Sequence, residues 1–413
     1  MLAPAAILLA ASAAAVGASD ARFTKRTLTK DFVAEGCCVA DFDRDGHRDV
    51  CSGRFIWLGP DFSHRVAFTP ERANADGPTR TPYRADTGYS DYFLQFAHDF
   101  DGDGWTDILV YGIPGAAASV FVNPGDRSLA AQTDWKRHDV FDTADGESPD
   151  LVDVTGDGRP ELLCHTGGRF GFAEIDWSDP LAKARFRAIT PKSAEADAAI
   201  HRYTHGYGAG DMNGDGRIDI LTHRGWYEHP ADRAATGEWR LHAADFGEGG
   251  AQMYALDANG DGRADIVTSI KAHGYGLSWF EQNADGSFTE RAILGRTAAD
   301  NANGAGFSQI HALRIADVDS DGLPDIVTGK RRWAHGPMGD EEPMAPPVLA
   351  WFRLKRDPAA PGGARFAMQP IDDDSGVGTQ LWTGLLDADE SPDVVVGNKH
   401  GVFVFTQRAK QAE

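Results

Sequence analysis

A nine-residue acidic pattern, D-x-D-x-D-G-x-x-D, recurs along this chain and limits what it can fold into. The copies are DFDRDGHRD at 41–49, DFDGDGWTD at 99–107, DVTGDGRPE at 153–161, DMNGDGRID at 211–219, DANGDGRAD at 257–265 and DVDSDGLPD at 317–325. A seventh, DADESPD at 387–393, reads as two residues shorter and lacks the glycine. Loop starts fall 46 to 70 residues apart, the period of propeller blades or solenoid repeats.

Each repeat carries the same sequence order. An apolar strand enters the loop and another leaves it (DILV at 107–110, DIVT at 265–268 and 325–328). An aromatic strand follows (IWL at 56–58, GWY at 225–227, LSWF at 277–280), then an alternating one such as FTERAI at 288–293. Four short strands per unit with period-2 alternation and no helical stretch predict an all-β, seven-bladed β-propeller. The last repeat ends one strand short, after GVFVF at 401–405, and RFTKRTL at 22–28 alternates like the missing strand. That N-terminal strand is expected to complete the C-terminal blade and cover its open edge.

The loops have the chemistry of a calcium turn. Ca²⁺ takes six to eight oxygens, and a glycine at the sixth position permits the sharp reversal between ligands. The expected ligands are Asp41, Asp43, Asp45 and Asp49; Asp99, Asp101, Asp103 and Asp107; Asp153, Asp157 and Glu161; Asp211, Asn213, Asp215 and Asp219; Asp257, Asn259, Asp261 and Asp265; and Asp317, Asp319, Asp321 and Asp325. Six structural Ca²⁺ sites follow, with no metal expected in the seventh loop.

A formal charge of −22 argues against nucleic acid or an anionic membrane surface as partner. Much of the acidity sits at the loop positions. The N-terminal run MLAPAAILLAASAAAVGA has signal-peptide length and ends in small residues. Residues 1–18 are therefore expected to be a cleaved signal, and 19–413 a single, monomeric propeller domain, secreted or periplasmic, with no membrane span. Cys38 and Cys51 flank the first loop; either a disulfide or separate buried thiols suits them, and Cys37 and Cys164 complete the set.

The repeats resemble the FG-GAP/VCBS family, whose blades carry calcium loops like those of integrin α-subunit propellers. More narrowly, THGYGAGDMNGDGRIDILTHRGWYEHP at 204–230 and AHGYGLSWFEQ at 272–282 resemble bacterial secreted VCBS proteins and the propeller part of fungal aldos-2-ulose dehydratase. That resemblance implies elimination of water from keto-sugars with divalent metal ions. Its members also carry cupin-type domains, and no such segment is read in these 413 residues.

In a propeller the start of each innermost strand lies at the channel mouth opposite the acidic loops. Counting six residues back from each loop gives Glu35, Phe93, Glu147, His205, Ala251, His311 and Leu381. Loops after the second strands bring His223, Arg224, His273, Tyr275, Lys330, Arg331, His335, Lys399 and His400 to the same mouth. Imidazoles with a carboxylate suit Zn²⁺ or a similar divalent ion. The expected site has His205, His273 and His311 on the metal and His335 or Tyr275 as base. Lys330, Arg331, Glu35 and Glu147 would bind substrate, with Tyr207 and Trp333 stacking on sugar rings. A non-catalytic module binding extracellular glycan or protein is the other reading of the same mouth.

Overall fold

The computed structural model describes residues 22–408, apart from 71–72, 75–76, 79–82, 87, 126–133, 193–199, 234 and 302–305. The proposed signal segment lies outside the described residues. The described chain is all-β, with one short 3-10 turn at Pro361–Gly363. None of its helices is long and apolar enough to cross a membrane.

Each acidic loop joins the first two strands of an antiparallel four-strand unit. In the first unit Cys38–Ala40, Asp49–Ser52, Phe55–Leu58 and His64–Ala67 pair in chain order. Elsewhere units fuse. The 17-residue strand Lys136–Val152 is the outer strand of one unit and the innermost strand of the next, with its register broken between Asp145 and Asp150. Tyr207–Gly210 and Gln252–Leu256, both innermost, pair in parallel.

The ring closes as the alternation at the N-terminus predicts. Phe23–Thr29 pairs antiparallel with Gly401–Gln407, from Phe23↔Gln407 to Thr29↔Val402. Aromatic and β-branched residues fill the spaces between neighbouring sheets, as in the buried cluster of Trp351, Leu381, Val394, Phe403 and Phe405. Near the axis, bonds between innermost strands hold the units together. Thr379 Oγ1 donates to the carbonyl of Phe93 (2.7 Å), Gln252 Nε2 to that of Thr379 (3.1 Å), and Arg314 Nη1 to Asp150 (3.1 Å). The fold is a β-propeller.

The acidic loops show a division of labour that the pattern conceals. Their first carboxylate accepts backbone N–H groups within the turn, Asp211 from Gly214, Asp215 and Gly216 at 2.8–3.2 Å. The last carboxylate is buried and braces the strands. Asp107, for example, accepts from Phe100 N (2.9 Å) and from Asn123 N (2.8 Å), just past the third strand. Carboxylates of Asp41, Asp43 and Asp45, of Asp99, Asp101 and Asp107, and of Asp317, Asp319 and Asp325 converge closely enough to share an ion.

This register corrects the reading of the seventh loop. Asp393 accepts from Leu386 N (2.9 Å) and Gln407 N (2.7 Å), the same bonds that Asp107 makes. The loop is therefore full length and runs 385–393, with Leu385 in place of the first acid. Glu390 stands at the glycine position with φ of 64°, a left-handed backbone that costs a non-glycine residue energy. Counting back six from 385 gives Thr379 as the ring position, in place of Leu381.

All four cysteines are buried free thiols, with Cys38 and Cys51 register partners on adjacent strands. His165 is 1% exposed, and burial pushes its pKa down to about 4. The folded state holds this ring neutral, whereas an unfolded ring takes up a proton near pH 6.5. Its contribution to stability is present above pH 6.5 and lost as pH falls toward 4. Urea unfolding between pH 7 and 4.5 should show His165→Leu losing less stability on acidification than the parent; parallel loss would remove this ring as a cause.

Candidate functional site

Four side chains from four repeats meet at the mouth opposite the acidic loops. Glu147 sits where the long shared strand breaks register. Gly146 before it has φ of 97°, and a Cβ there would lie 2.7 Å from the His165 ring. The strand therefore leaves its ladder and turns Glu147 inward, with Glu147 N donating to Thr204 O (3.3 Å). His205 and His311 stand just before innermost strands Tyr207–Gly210 and Leu313–Ala316, and His273 follows the second strand Asp265–Ser269.

The ligand atoms converge. His311 Nε2 lies 3.0 Å from Glu147 Oε2, His205 Nε2 lies 3.4 Å from the same oxygen, and the two Nε2 atoms are 3.2 Å apart. Tetrahedral zinc with bonds of about 2.0–2.1 Å sets neighbouring ligands roughly 3.3–3.4 Å apart. His273 joins the group, its ring centroid 4.9 Å from that of His205 and 5.2 Å from that of His311. Burial lowers the His273 pKa to about 2, with the neighbouring His311 and His205 adding to the effect; burial and then Arg331 lower His311 to about 4. Both rings are thus neutral at physiological pH, the form that ligates metal. Burial alone would raise the Glu147 pKa, but hydrogen bonding to His205 and His311 keeps it well below the usual carboxylate range.

A second group adjoins the first. His335 Nδ1 lies 2.8 Å from Asp340 Oδ1, while Asp340 Oδ2 accepts from Ala334 N (2.6 Å) and His335 N (2.9 Å). Burial raises the Asp340 carboxyl, but these bonds overcome it and hold its pKa below the usual value. The His335 and His273 rings are 4.7 Å apart. Both groups open onto a cavity of about 570 Å³ lined also by Tyr89, Phe93, Ile113, Pro114 and Tyr203.

Several residues expected in the site lie elsewhere. Lys330 is 1% exposed and donates to Ser308 Oγ (2.6 Å), with burial lowering its pKa to about 8. Arg331, equally buried, pairs with Glu35 at 2.9 Å, and Lys399 approaches the same carboxylate at 3.3 Å. Glu35 and Arg331 are thus paired in the interior, and neither lines the cavity. Tyr207 is buried, its hydroxyl donating to Gly171 O (2.7 Å). It is not a stacking platform, and neither is buried Trp333. Tyr275 lines a separate depression with Lys271, Arg296 and Glu341, away from the proposed base position.

Among the described residues, the exposed aromatics are instead Tyr89 and Tyr203. Sequence reasoning missed both, as well as Asp340, because all three lie outside the strand repeats. Only the five-residue spacing from His335 to Asp340, in a Gly- and acid-rich insert, hinted at a turn that returns on itself.

A family model described as FG-GAP-like repeat matches residues 99–164 and 257–328. Those two segments are similar to FG-GAP-like repeats. They contain four of the acidic loops and three of the clustered residues, Glu147, His273 and His311, whereas His205 lies between them. No curated protein matches the sequence.

Among solved structures, the chain is similar to a lectin of Agrocybe aegerita that recognises non-reducing terminal N-acetylglucosamine. Identity is 16% and the TM-score 0.46, over 90% of this chain and 87% of that one. It is also similar to a V. cholerae biofilm matrix protein (15% identity, TM-score 0.36, 70% of this chain and 40% of that one). A third likeness is to the Photorhabdus luminescens Tc holotoxin pore (14%, TM-score 0.38, 76% and 14%). These likenesses are too distant to bear on the site.

Proposed function

We propose that the channel mouth holds a transition-metal ion on Glu147, His205, His273 and His311 and eliminates water or an alcohol from a keto- or uronic sugar. The observation that carries this reading is the cluster of three imidazoles and one carboxylate, with contacts of 3.0–3.4 Å among Glu147, His205 and His311 and with His273 beside them, on the wall of an aromatic-rimmed cavity. A metal held there by Glu147, His205, His273 and His311 would supply a Lewis acid to polarise the sugar carbonyl. The scaffold in this reading is an exported, seven-bladed propeller, grouping the strands by their loops, with Ca²⁺ bound in the six loops that keep the full ligand set.

His335 is the base. Its Nδ1–H points to Asp340, which leaves Nε2 with a lone pair for the cavity. Asp340 fixes the tautomer and orientation of the ring and balances the imidazolium once the α-proton arrives. The C–H bond breaks as its proton passes to His335 Nε2, the electrons form the C=C bond, and the β-oxygen departs with the proton that the His335 imidazolium returns to it, as water or alcohol. Tyr89 and Tyr203 at the rim offer faces to sugar rings. They equally suit the second reading, a glycan-binding module without catalysis.

Zinc-loaded protein incubated with keto- and uronic sugars should form an unsaturated carbonyl product, followed by ultraviolet absorbance. His335→Ala should lower turnover roughly 10²–10⁴-fold with metal content unchanged. Full turnover in that variant would remove His335 as base. Sugar binding by the parent without any product would leave the binding module as the function.

A further inference from the structure

A second cavity, of about 280 Å³, adjoins the first and shares His201, Tyr203 and His205 with it. Its character differs. The first has Tyr89, Phe93, Ile113 and Pro114 on its walls, whereas the second adds His223, Arg224 and Glu248. Tyr203, 46% exposed, lines both and stands between them.

We infer that the site takes an acidic oligosaccharide, one unit lying in the aromatic cavity and the next placing its carboxylate against Arg224. This rests on the reading of the mouth as a sugar site. His223 and Arg224 form the two-residue hairpin between Asp219–Thr222 and Gly225–Glu228, whose ends pair as Thr222↔Gly225. Such a short turn fixes the backbone from which the two side chains project, and Arg224 is exposed there. Thr222 Oγ1 accepts from Arg224 N (3.3 Å), and Arg224 Nε lies 3.2 Å from His223 Nε2.

Arg224 meets no carboxylate within ion-pair distance among the described residues. The acid in the same cavity, Glu248, pairs with Lys271 at 2.9 Å. In a chain of charge −22, a guanidinium facing a cavity without a carboxylate partner is a local inversion of sign. Its planar donors match a carboxylate or a sulfate ester better than a hydroxyl. Tyr203 at the junction of the cavities gives a ring face to either unit.

The test uses cobalt(II)-loaded full-length protein in excess Ca²⁺, so that cobalt reports on the mouth and calcium keeps the loops filled. A panel of uronic-acid dimers of differing linkage is titrated, each beside its monomer and its carboxyl-reduced form. At least one acidic dimer should bind about tenfold tighter than its monomer and its reduced form, a charged hydrogen-bonded contact being worth at least that factor. Arg224→Ala should return that dimer to the monomer's affinity and leave the monomer unchanged, while Arg224→Lys should retain part of the gain. Monomers that bind while no dimer exceeds them would overturn the inference alone. Equal weakening of monomer and dimer by Arg224→Ala would do the same. Failure of every sugar to bind or to perturb the cobalt spectrum would overturn the sugar-site reading and the inference together.

Discussion

Replacing His311 with alanine is expected to empty the channel mouth of transition metal while the propeller stays folded. His311 is 1% exposed, with its Nε2 within 3.2 Å of both His205 Nε2 and Glu147 Oε2. Few solvent molecules can reach the vacated position to replace the lost nitrogen. Loss of outer groups that only orient a metal ligand typically costs 10–100-fold in affinity. Deleting a ligand itself should exceed about 100-fold. The fold should survive because Ala251 already occupies the equivalent ring position in the neighbouring repeat, and because Glu147 keeps His205 at 3.4 Å and Arg331 at 3.9 Å. Elemental analysis in excess Ca²⁺, with His242→Ala as control, decides the matter. His242 pairs with Glu228 on an outer strand and lies outside the cluster. One equivalent of metal retained by His311→Ala would sink the four-residue site.

The cluster was legible because the acidic loops act as a ruler. Innermost segments run into their loops in the same register, so a fixed count back from each loop reaches the mouth and finds Glu147, within the long shared strand, and His205 and His311, just before theirs. The ruler failed once, at the last repeat, where Leu385 and Glu390 disguised a full-length loop as a short one. His273 was found by a different signal, its place in the loop after a second strand. The tetrapeptide HGYG occurs at 205–208, leading into a strand, and at 273–276, in a turn after one. Two copies in unlike settings nevertheless bring their imidazole rings 4.9 Å apart.

What sequence could not reveal was the direction in which side chains face. Tyr207 and Tyr275 follow their histidines by two residues, yet neither lines the large cavity. Lys330 and Arg331 follow a strand just as His273 does, and read equally well as exposed cations. Whether they face solvent or the interior depends on where Glu35 lies, and Glu35 comes 296 residues from Arg331 in the chain. Only the closed ring brings them together. Asp340 had no strand period to place it; its position depends on the turn that returns it to His335.

The largest loss of stability is expected at the last acid of a loop, not at the acids that form the rest of the proposed calcium shell. Asp265 is fully buried; its Oδ2 accepts from Ala258 N (3.1 Å) and its Oδ1 from Gln282 N (2.8 Å). Asp265→Ala leaves two buried donors unpaired, at about 1–3 kcal/mol each, so a total of about 2–6 kcal/mol is expected. Burial pushes the Asp265 pKa up to about 7, which places its carboxyl close to half-neutral at physiological pH. Asp265→Asn keeps an acceptor oxygen and should cost less. Asp261, in the same loop, is more exposed and bonds within the turn, Arg263 N donating to it at 2.9 Å. Asp261→Asn should weaken calcium binding and change calcium-free stability by about 0.5 kcal/mol or less. Urea unfolding with chelator and with Ca²⁺ separates the two roles. The Asp265→Ala deficit should persist in chelator, because the side chain ties the loop and the third strand to its own strand whether or not an ion is bound. The Asp261→Asn deficit should be seen only with Ca²⁺ present. If chelator erased the Asp265→Ala deficit as well, the last acid would act through the ion, and its bonds to the strands would contribute little by themselves.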